Sequence, residues 1–471
     1  MYVFRSKVWC QILCLSLSAN AKKPQLWSHD NVNFPLELDI TSEGLMSNLR
    51  SLDDIGKANG GNRAFGLPGF AASVDYVVSQ TAKLENAKVW TQNFTEAFSQ
   101  FKSIGLRVGS KDYKINFLQH SPSTSETGIS ASLILGPEGT EACSRDGYEN
   151  LDVEKNIVLV GRRACPDGTT FAGLVHAAAE AGAAGVIIYN DSPFMGMGTL
   201  RGRTSANQKL IPAGLISQTD GKALADQLSD GTAQNALFQT TQINEPRISQ
   251  NVFAETKTGD PANVIMLGAH LDSVQAGPGI NDDGSGVTLL LEIFKSLQKY
   301  DFKNKIRFAW WGAEESGLLG SNFYTGHLAK TESDNILAYL NFDMIARGYF
   351  GIFDGSGARP GMGGPPGSEI LHKLFLDAFI NKGINSTVPE KFAGNSDYGS
   401  FIGRLNKPSG GLHTGSGYAQ DPCYHRKCDT VDNINAQVLT TNAQITAQVI
   451  SILAMEGEKR IPKSCRFFNR T

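Results

Sequence analysis

The residues best suited to chemistry cluster in four short stretches. Residues 268–286 read GAHLDSVQAGPGINDDGSG and follow the apolar run Val264-Ile265-Met266-Leu267, so His270, Asp272 and Asp282 gather where a buried strand ends. A turn-rich loop would explain the Asn, Asp and Gly content alone. A calcium loop is the other simple reading, but aligning Gly284 with the loop glycine puts Gly279 and Leu290 at ligand positions, and the spacing fails. Glu314-Glu315 follows a second apolar run, Asp343 ends a third, and His425 lies between Cys423 and Cys428. Two imidazoles with several carboxylates form the mixed nitrogen and oxygen set that suits zinc better than magnesium or calcium. A pair of divalent ions sharing one carboxylate would use His270 and His425 as nitrogen ligands and Asp282, Glu315 and Asp343 as oxygen ligands. Asp272 would accept from the second ring nitrogen of His270 and so fix its tautomer. Taken singly, His270 reads as a core histidine and Glu314-Glu315 as a solvated helix start. It is the repetition at strand ends that favours a site.

The elements that must hold these residues follow from periodicity. Val264 to Ala269 is a continuous apolar strand, Ile306 to Trp311 and Ala338 to Phe342 are largely apolar strands, and Val287 to Leu297 has helical spacing at Leu290, Leu291, Phe294 and Leu297. Apolar strands alternating with helices predict an α/β protein with a mixed, mostly parallel central sheet covered on both faces. Ligands in such sheets bind at the carboxyl ends of the strands, where His270, Glu314-Glu315 and Asp343 fall. Residues 119–246 have a different texture: strands at 132–135, 156–160 and 185–189, an alanine-rich helix over 171–181, and a unit opening at Ile211. They predict a smaller α/β domain inserted into the larger one. Ala71 to Glu85 reads as a helix, and Ile445 to Met455 as a short core helix.

At this point the motifs resemble a known family. GAHLDS, GPGINDDGSG, WWGAEESGLLGS, NFDMIARG and DPCYHRKCDT are similar, in order, to the co-catalytic di-zinc aminopeptidases of the aminopeptidase Y type, which include secreted leucine aminopeptidases. The likeness covers about residues 36–118 and 251–456, and residues 119–246 resemble the protease-associated domain inserted in larger members. The resemblance implies the zinc exopeptidase fold, with peptidase segments 36–118 and 247–460 around the insertion. It implies two zinc ions per chain: His270 and Asp343 on one, Glu315 and His425 on the other, Asp282 bridging. Glu314 takes the general-base position, drawing a proton from a metal-bridging water and returning it to the leaving amine. Tyr424 matches the donor to the developing oxyanion. The implied substrates are peptides with a free N-terminus, with a large apolar first residue such as leucine preferred. His413 stands where the family often has a bulky apolar residue, which bears on that preference. A carboxypeptidase or dipeptidase on the same fold, or a non-catalytic peptide-binding relative, are the alternatives; the second expects a broken ligand set.

Composition bounds the rest. The chain has 471 residues, 41% of them hydrophobic, and 43 basic against 46 acidic side chains give a net charge of −3. That balance gives no reason to expect nucleic acid or an anionic membrane as partner, and the expected state is a monomer. Arg5 and Lys7 precede an apolar run over 8–17 and the small-x-small pattern Ala19-Asn20-Ala21, so residues 1–21 read as a secretory signal peptide. Secretion, or alternatively a vacuole, fits acceptor sequons at Asn93, Asn190, Asn385 and Asn469 and the local cysteine pairs 143/165 and 423/428. Cys465 is left over.

Overall fold

The computed structural model describes residues 35–192, 198–201, 209–232, 234–356, 363–386 and 392–463. The signal segment, Cys465 and Asn469 lie outside these residues. In chain order the first strands are β1 (Ala87–Val108), β2 (Lys111–Tyr113), β3 (Ile115–Gln119), β4 (Ile129–Leu135), β5 (Ile157–Gly161), β6 (Gly185–Tyr189), β7 (Gly198–Thr199) and β8 (Ala213–Ile216). They are followed by β9 (Gln234–Thr256), β10 (Asp260–His270), β11 (Asn304–Trp311), β12 (Ile336–Phe342), β13 (Gly351–Ile352) and β14 (Ser409–His413).

The sheet of the larger unit runs in the order β13-β14-β12-β10-β11-β9. β10 is parallel to both β11 and β12, and β12 is parallel to β14; β9 and β13 close the two sides antiparallel. The mixed, mostly parallel sheet read from the apolar runs is therefore the sheet observed. Because β11 and β12 flank β10 on opposite sides, the connections diverge above β10 and leave a crevice at the carboxyl ends. Ile265, Met266, Leu267, Ile306, Phe308 and Leu340 are fully buried, as strands covered on both faces require. Helices Ser42–Ala58, Gly284–Leu297 and Ala436–Arg460 pack on this core through Leu45, Leu49, Leu52, Leu290, Phe294, Leu439, Ile450 and Leu453. Each begins on a side chain that accepts a free backbone N–H: Thr41 from Gly44, Asp283 from Gly286, and Asn435 from Gln437 and Val438.

The last helix is longer than the segment 445–455 read from sequence, because Thr440, Thr441 and Asn442 interrupt the apolar pattern of its first turns. It has the length and hydropathy of a membrane span, but 67% of its apolar window is buried inside the fold, as in a core helix. The inserted unit forms the order β9-β4-β5-β6-β8-β3-β7, with β4, β5, β6 and β8 parallel in sequence and Ala172–Glu180 and Gln218–Ser229 as helices. Its own core includes Val158, Val160, Leu174, Val186 and Ile188.

Most of the ribbon joining the two units was not legible in the sequence. β1 and β9 pair antiparallel from Ala87↔Thr256 to Val108↔Ala236, with a register shift between Phe101 and Ser103. β9 continues unbroken through residue 246. Its middle is exposed and polar on both faces, which removes the alternation that marks a half-buried strand.

Candidate metal centre

Three strand ends, the turn before the helix Gly284–Leu297, which carries Asp282, and one disulfide loop deliver the side chains. β10 ends in His270, β11 leads through Gly312-Ala313 to Glu314-Glu315, and β12 leads to Asp343. Ala313, Met344 and His425 adopt left-handed backbone conformations (φ 58°, 56° and 57°) beside these residues. A non-glycine residue is held there only when its surroundings over-determine it. For His425 the surroundings include the Cys423–Cys428 disulfide and the Tyr424 ring stacked on its imidazole at 3.8 Å. The second expected disulfide, Cys143–Cys165, is also formed.

The side chains converge as two triads sharing one residue: His270, Asp282 and Asp343, and Asp282, Glu315 and His425, each with ligand atoms within 4.8 Å of one another. His270 Nε2 lies 3.0 Å from Asp282 Oδ1 and 3.6 Å from Asp343 Oδ1. His425 Nε2 lies 3.2 Å from Asp282 Oδ2 and 3.0 Å from Glu315 Oε2. Asp282 therefore turns one oxygen to each triad. Glu314 Oε2 is 3.9 Å from His270 Nε2, and Tyr424 lines the same recess.

The electrostatics are those of carboxylates crowded out of water. Burial pushes Glu314 well above the usual carboxylate range; nearby His270 counteracts this, while Asp397, Asp343 and Glu315 add to it. Burial and then Asp282 push Glu315 up to about 7, against the pull of His425. Burial would lower His425, yet Glu315 and Asp282 raise it to about 11. His270 is likewise raised despite burial, by Glu314, Asp282 and Asp343. Asp282 alone is lowered, since His270 and His425 outweigh its desolvation. Such a cluster takes up protons to reduce repulsion, and cations would do the same more effectively.

One expected contact is corrected. His270 Nδ1 is paired at 2.9 Å with the backbone carbonyl of Asp272, whereas the Asp272 carboxylate stands 3.9 Å away. That carboxylate instead accepts from the backbone N–H groups of Glu314 (2.9 Å) and Glu315 (3.3 Å). Fully buried and two residues past His270, Asp272 is placed to lock the neighbouring strand end instead of the imidazole.

Several supporting residues escaped the sequence reading. Asp283, joined to Asp282 by a cis peptide bond, accepts from the N–H groups of His270, Gly286 and Met344. Asp429 accepts from the N–H groups of Asn281 and Asp282, and Ser396 donates to Asp343 at 2.6 Å while accepting from Asn341. Arg63, fully buried, donates to the carbonyls of Leu271, Pro278 and Gly279. Asp283 and Asp429 lie in motifs already singled out, but Arg63 lies more than 200 positions from its partners and carried no signal.

With this geometry in hand, comparison with known proteins is informative. The profile of peptidase family M28 matches residues 251–450, and that of the PA domain matches residues 129–224. Leucine aminopeptidase 2 of Trichophyton rubrum is 37% identical over 450 residues, covering 91% of this chain and 88% of that one. The chain belongs to peptidase family M28. The leucine aminopeptidase 2 of Arthroderma otae is 36% identical to this M28 peptidase, over 94% of this chain and 93% of its own length. Among solved structures, an aminopeptidase from Aneurinibacillus sp. strain AM-1 superposes with a TM-score of 0.74 at 24% identity, covering 92% of this chain and 98% of its own. BSAP, a zinc aminopeptidase from Bacillus subtilis, gives 0.66 at 23% identity, covering 90% and 98%. At those identities the likeness is one of fold, with the PA domain inserted in the M28 peptidase as the sequence suggested.

Proposed function

We propose that this M28 peptidase is a secreted zinc aminopeptidase that removes a large apolar N-terminal residue, such as leucine, using two metal ions. The carrying observation is the pair of triads meeting at Asp282. The donor set fits zinc by its chemistry, and Glu315 Oε1 is buried with no hydrogen-bond partner, an orphan that a cation would satisfy. His270, Asp282 and Asp343 would hold one ion, and Asp282, Glu315 and His425 the other. Bound zinc supplies Lewis acidity toward the peptide carbonyl and acidifies water.

The chain's own groups do the rest. Glu314 takes a proton on its carboxylate from the attacking water and delivers it to the nitrogen of the departing peptide. Its burial, and the anchoring of its N–H by Asp272, hold that carboxylate in place. The Tyr424 hydroxyl, whose ionisation burial and nearby Asp282 and Glu315 suppress, stays a proton donor to the carbonyl oxygen as charge develops there. The recess of the metal centre, about 50 Å³, is walled beyond its candidate ligands by Met344, Phe353, Tyr398 and His413. It supports binding of a single side chain at the end of a peptide. The His413 ring lies 6.2 Å from that of Phe353 at 18°, and its Nδ1 is paired with the Asp343 carbonyl, so it offers a flat ring face with one nitrogen engaged. The leucine aminopeptidases to which the chain is 36–37% identical support an aminopeptidase over a carboxypeptidase.

The test is hydrolysis of leucine amide beside N-acetyl-leucine amide. The free amine is expected to be cleaved and the blocked one not, with activity lost to chelator and restored by zinc. Full activity in metal-free protein, or equal cleavage of both amides, would overturn the reading. The apolar N-terminal run and the two disulfides support export.

A further inference from the structure

A second cavity, about 350 Å³, lies between the β1 ribbon and the loop after β10. Phe98 and Phe101 from β1, Phe117 from β3, and His120 form the side belonging to the ribbon and inserted unit; Gln275 from the loop faces them. Glu315 lines this cavity and also the recess of the metal centre, so the two meet at a ligand residue. We infer that this cavity binds the departing side of the peptide, the residues that follow the scissile bond, and prefers a large uncharged apolar or aromatic side chain there. The inference rests on the aminopeptidase reading and extends it to specificity beyond the first residue.

Three observations carry it. An enzyme that removes one terminal residue needs room for chain on the departing side of the cut bond, and this cavity is the roomier of the two that meet at Glu315, about 350 against about 50 Å³. The chemistry of the wall is apolar and aromatic: Phe101 and Phe117 stack at 4.7 Å and 6°, and Phe101 is still 36% exposed, leaving a ring face for a side chain. His120 adds no charge at neutral pH, since burial, with Arg201, pushes its pKa down to about 4. The wall is also pre-positioned. Gln275 Nε2 donates to the Ser99 carbonyl at 2.6 Å, tying the loop to the ribbon, and the His120 N–H donates to Ser99 Oγ at 3.0 Å. The inserted unit would thus contribute directly to substrate selection through the strand that leads into it.

The experiment measures kcat and KM for leucine amide, Leu-Phe amide and Leu-Asp amide. The wild type is expected to prefer Leu-Phe amide over Leu-Asp amide by at least about tenfold in kcat/KM, equivalent to about 1.4 kcal/mol. In Phe101→Ser the ratio of kcat/KM for Leu-Phe amide to that for leucine amide should fall about tenfold, chiefly through KM. Gln100→Trp, which keeps both phenylalanines and fills the cavity from β1, should lower the same ratio and serves if the first variant does not fold. An unchanged ratio in folded variants, or no preference between the two dipeptide amides, overturns the inference. Failure of the wild type to cleave leucine amide at all would instead overturn the aminopeptidase reading.

Discussion

Replacing Arg63 by methionine removes one guanidinium and leaves two backbone carbonyls, those of Leu271 and Pro278, unpaired inside the protein, while Gly279 O keeps the Gly284 N–H at 3.0 Å. In the native structure the side chain donates to Leu271 O at 2.5 Å, Gly279 O at 2.7 Å and Pro278 O at 2.8 Å, and none of it reaches solvent. Those carbonyls bracket the loop between His270 and Asp282, so the arginine holds the span that separates two candidate ligands. Each orphaned buried acceptor costs roughly 1–3 kcal/mol, and relaxation makes two of them less than additive, so about 2–4 kcal/mol is expected. Arg63→Lys can satisfy one or two of the carbonyls from a single ammonium and should recover part of the loss. Thermal unfolding of zinc-loaded protein, with bound zinc measured on the same samples, is the assay. Arg63→Met should lower Tm by roughly 4 °C or more, given about 2–4 °C per kcal/mol for large domains, and weaken zinc retention; lysine should fall between. A methionine variant with wild-type Tm and wild-type zinc content would refute the argument that this side chain builds the loop.

Other outcomes follow from the same geometry. Glu314→Gln should keep its metal and lose about 10²–10⁴-fold in kcat; loss of the zinc as well would make Glu314 a ligand. Asp272→Asn keeps the shape but weakens two charge-assisted bonds to the Glu314 and Glu315 amides, so kcat should fall while His270, paired through the Asp272 carbonyl, keeps its orientation; a crystal structure of the variant checks the second point. Zinc at about a thousandfold excess over its Kd should stabilise the protein by about 4 kcal/mol for each site filled, about 8 kcal/mol for two, relative to chelated protein, read by urea unfolding. His120 is neutral when folded down to about pH 4 but takes a proton in the unfolded chain below about 6.5. Its contribution is therefore full above 6.5 and is lost as pH falls toward 4. For a partly exposed ring this is about 1–2 kcal/mol. His120→Asn, which suits the positive φ of that position, should flatten this part of the profile.

What the sequence by itself determined was the peptidase sheet and the identity of the side chains at its carboxyl edge. The apolar run of β10 and the largely apolar β11 and β12 have few alternatives to buried strands, and His270, Glu314-Glu315 and Asp343 sit at or just past their carboxyl ends. The helix Gly284–Leu297 was legible for the same reason, since its apolar face repeats with helical spacing. Tertiary structure decided whatever depends on groups distant in the chain or on direction. The sequence placed Asp272 beside His270, but only folding turned its carboxylate toward the amides of residues 314 and 315 and its carbonyl toward the ring. Arg63 and Ser396 acquired roles from partners that no local pattern points to. The β1–β9 ribbon is exposed and polar where β9 passes through residues 244–246, and there it is held by backbone pairing, which leaves little mark on side-chain choice. Its consequence, a cavity that joins the inserted unit to Glu315, exists only once both strands are paired, because a local periodicity records which face of an element is buried and not what that face meets.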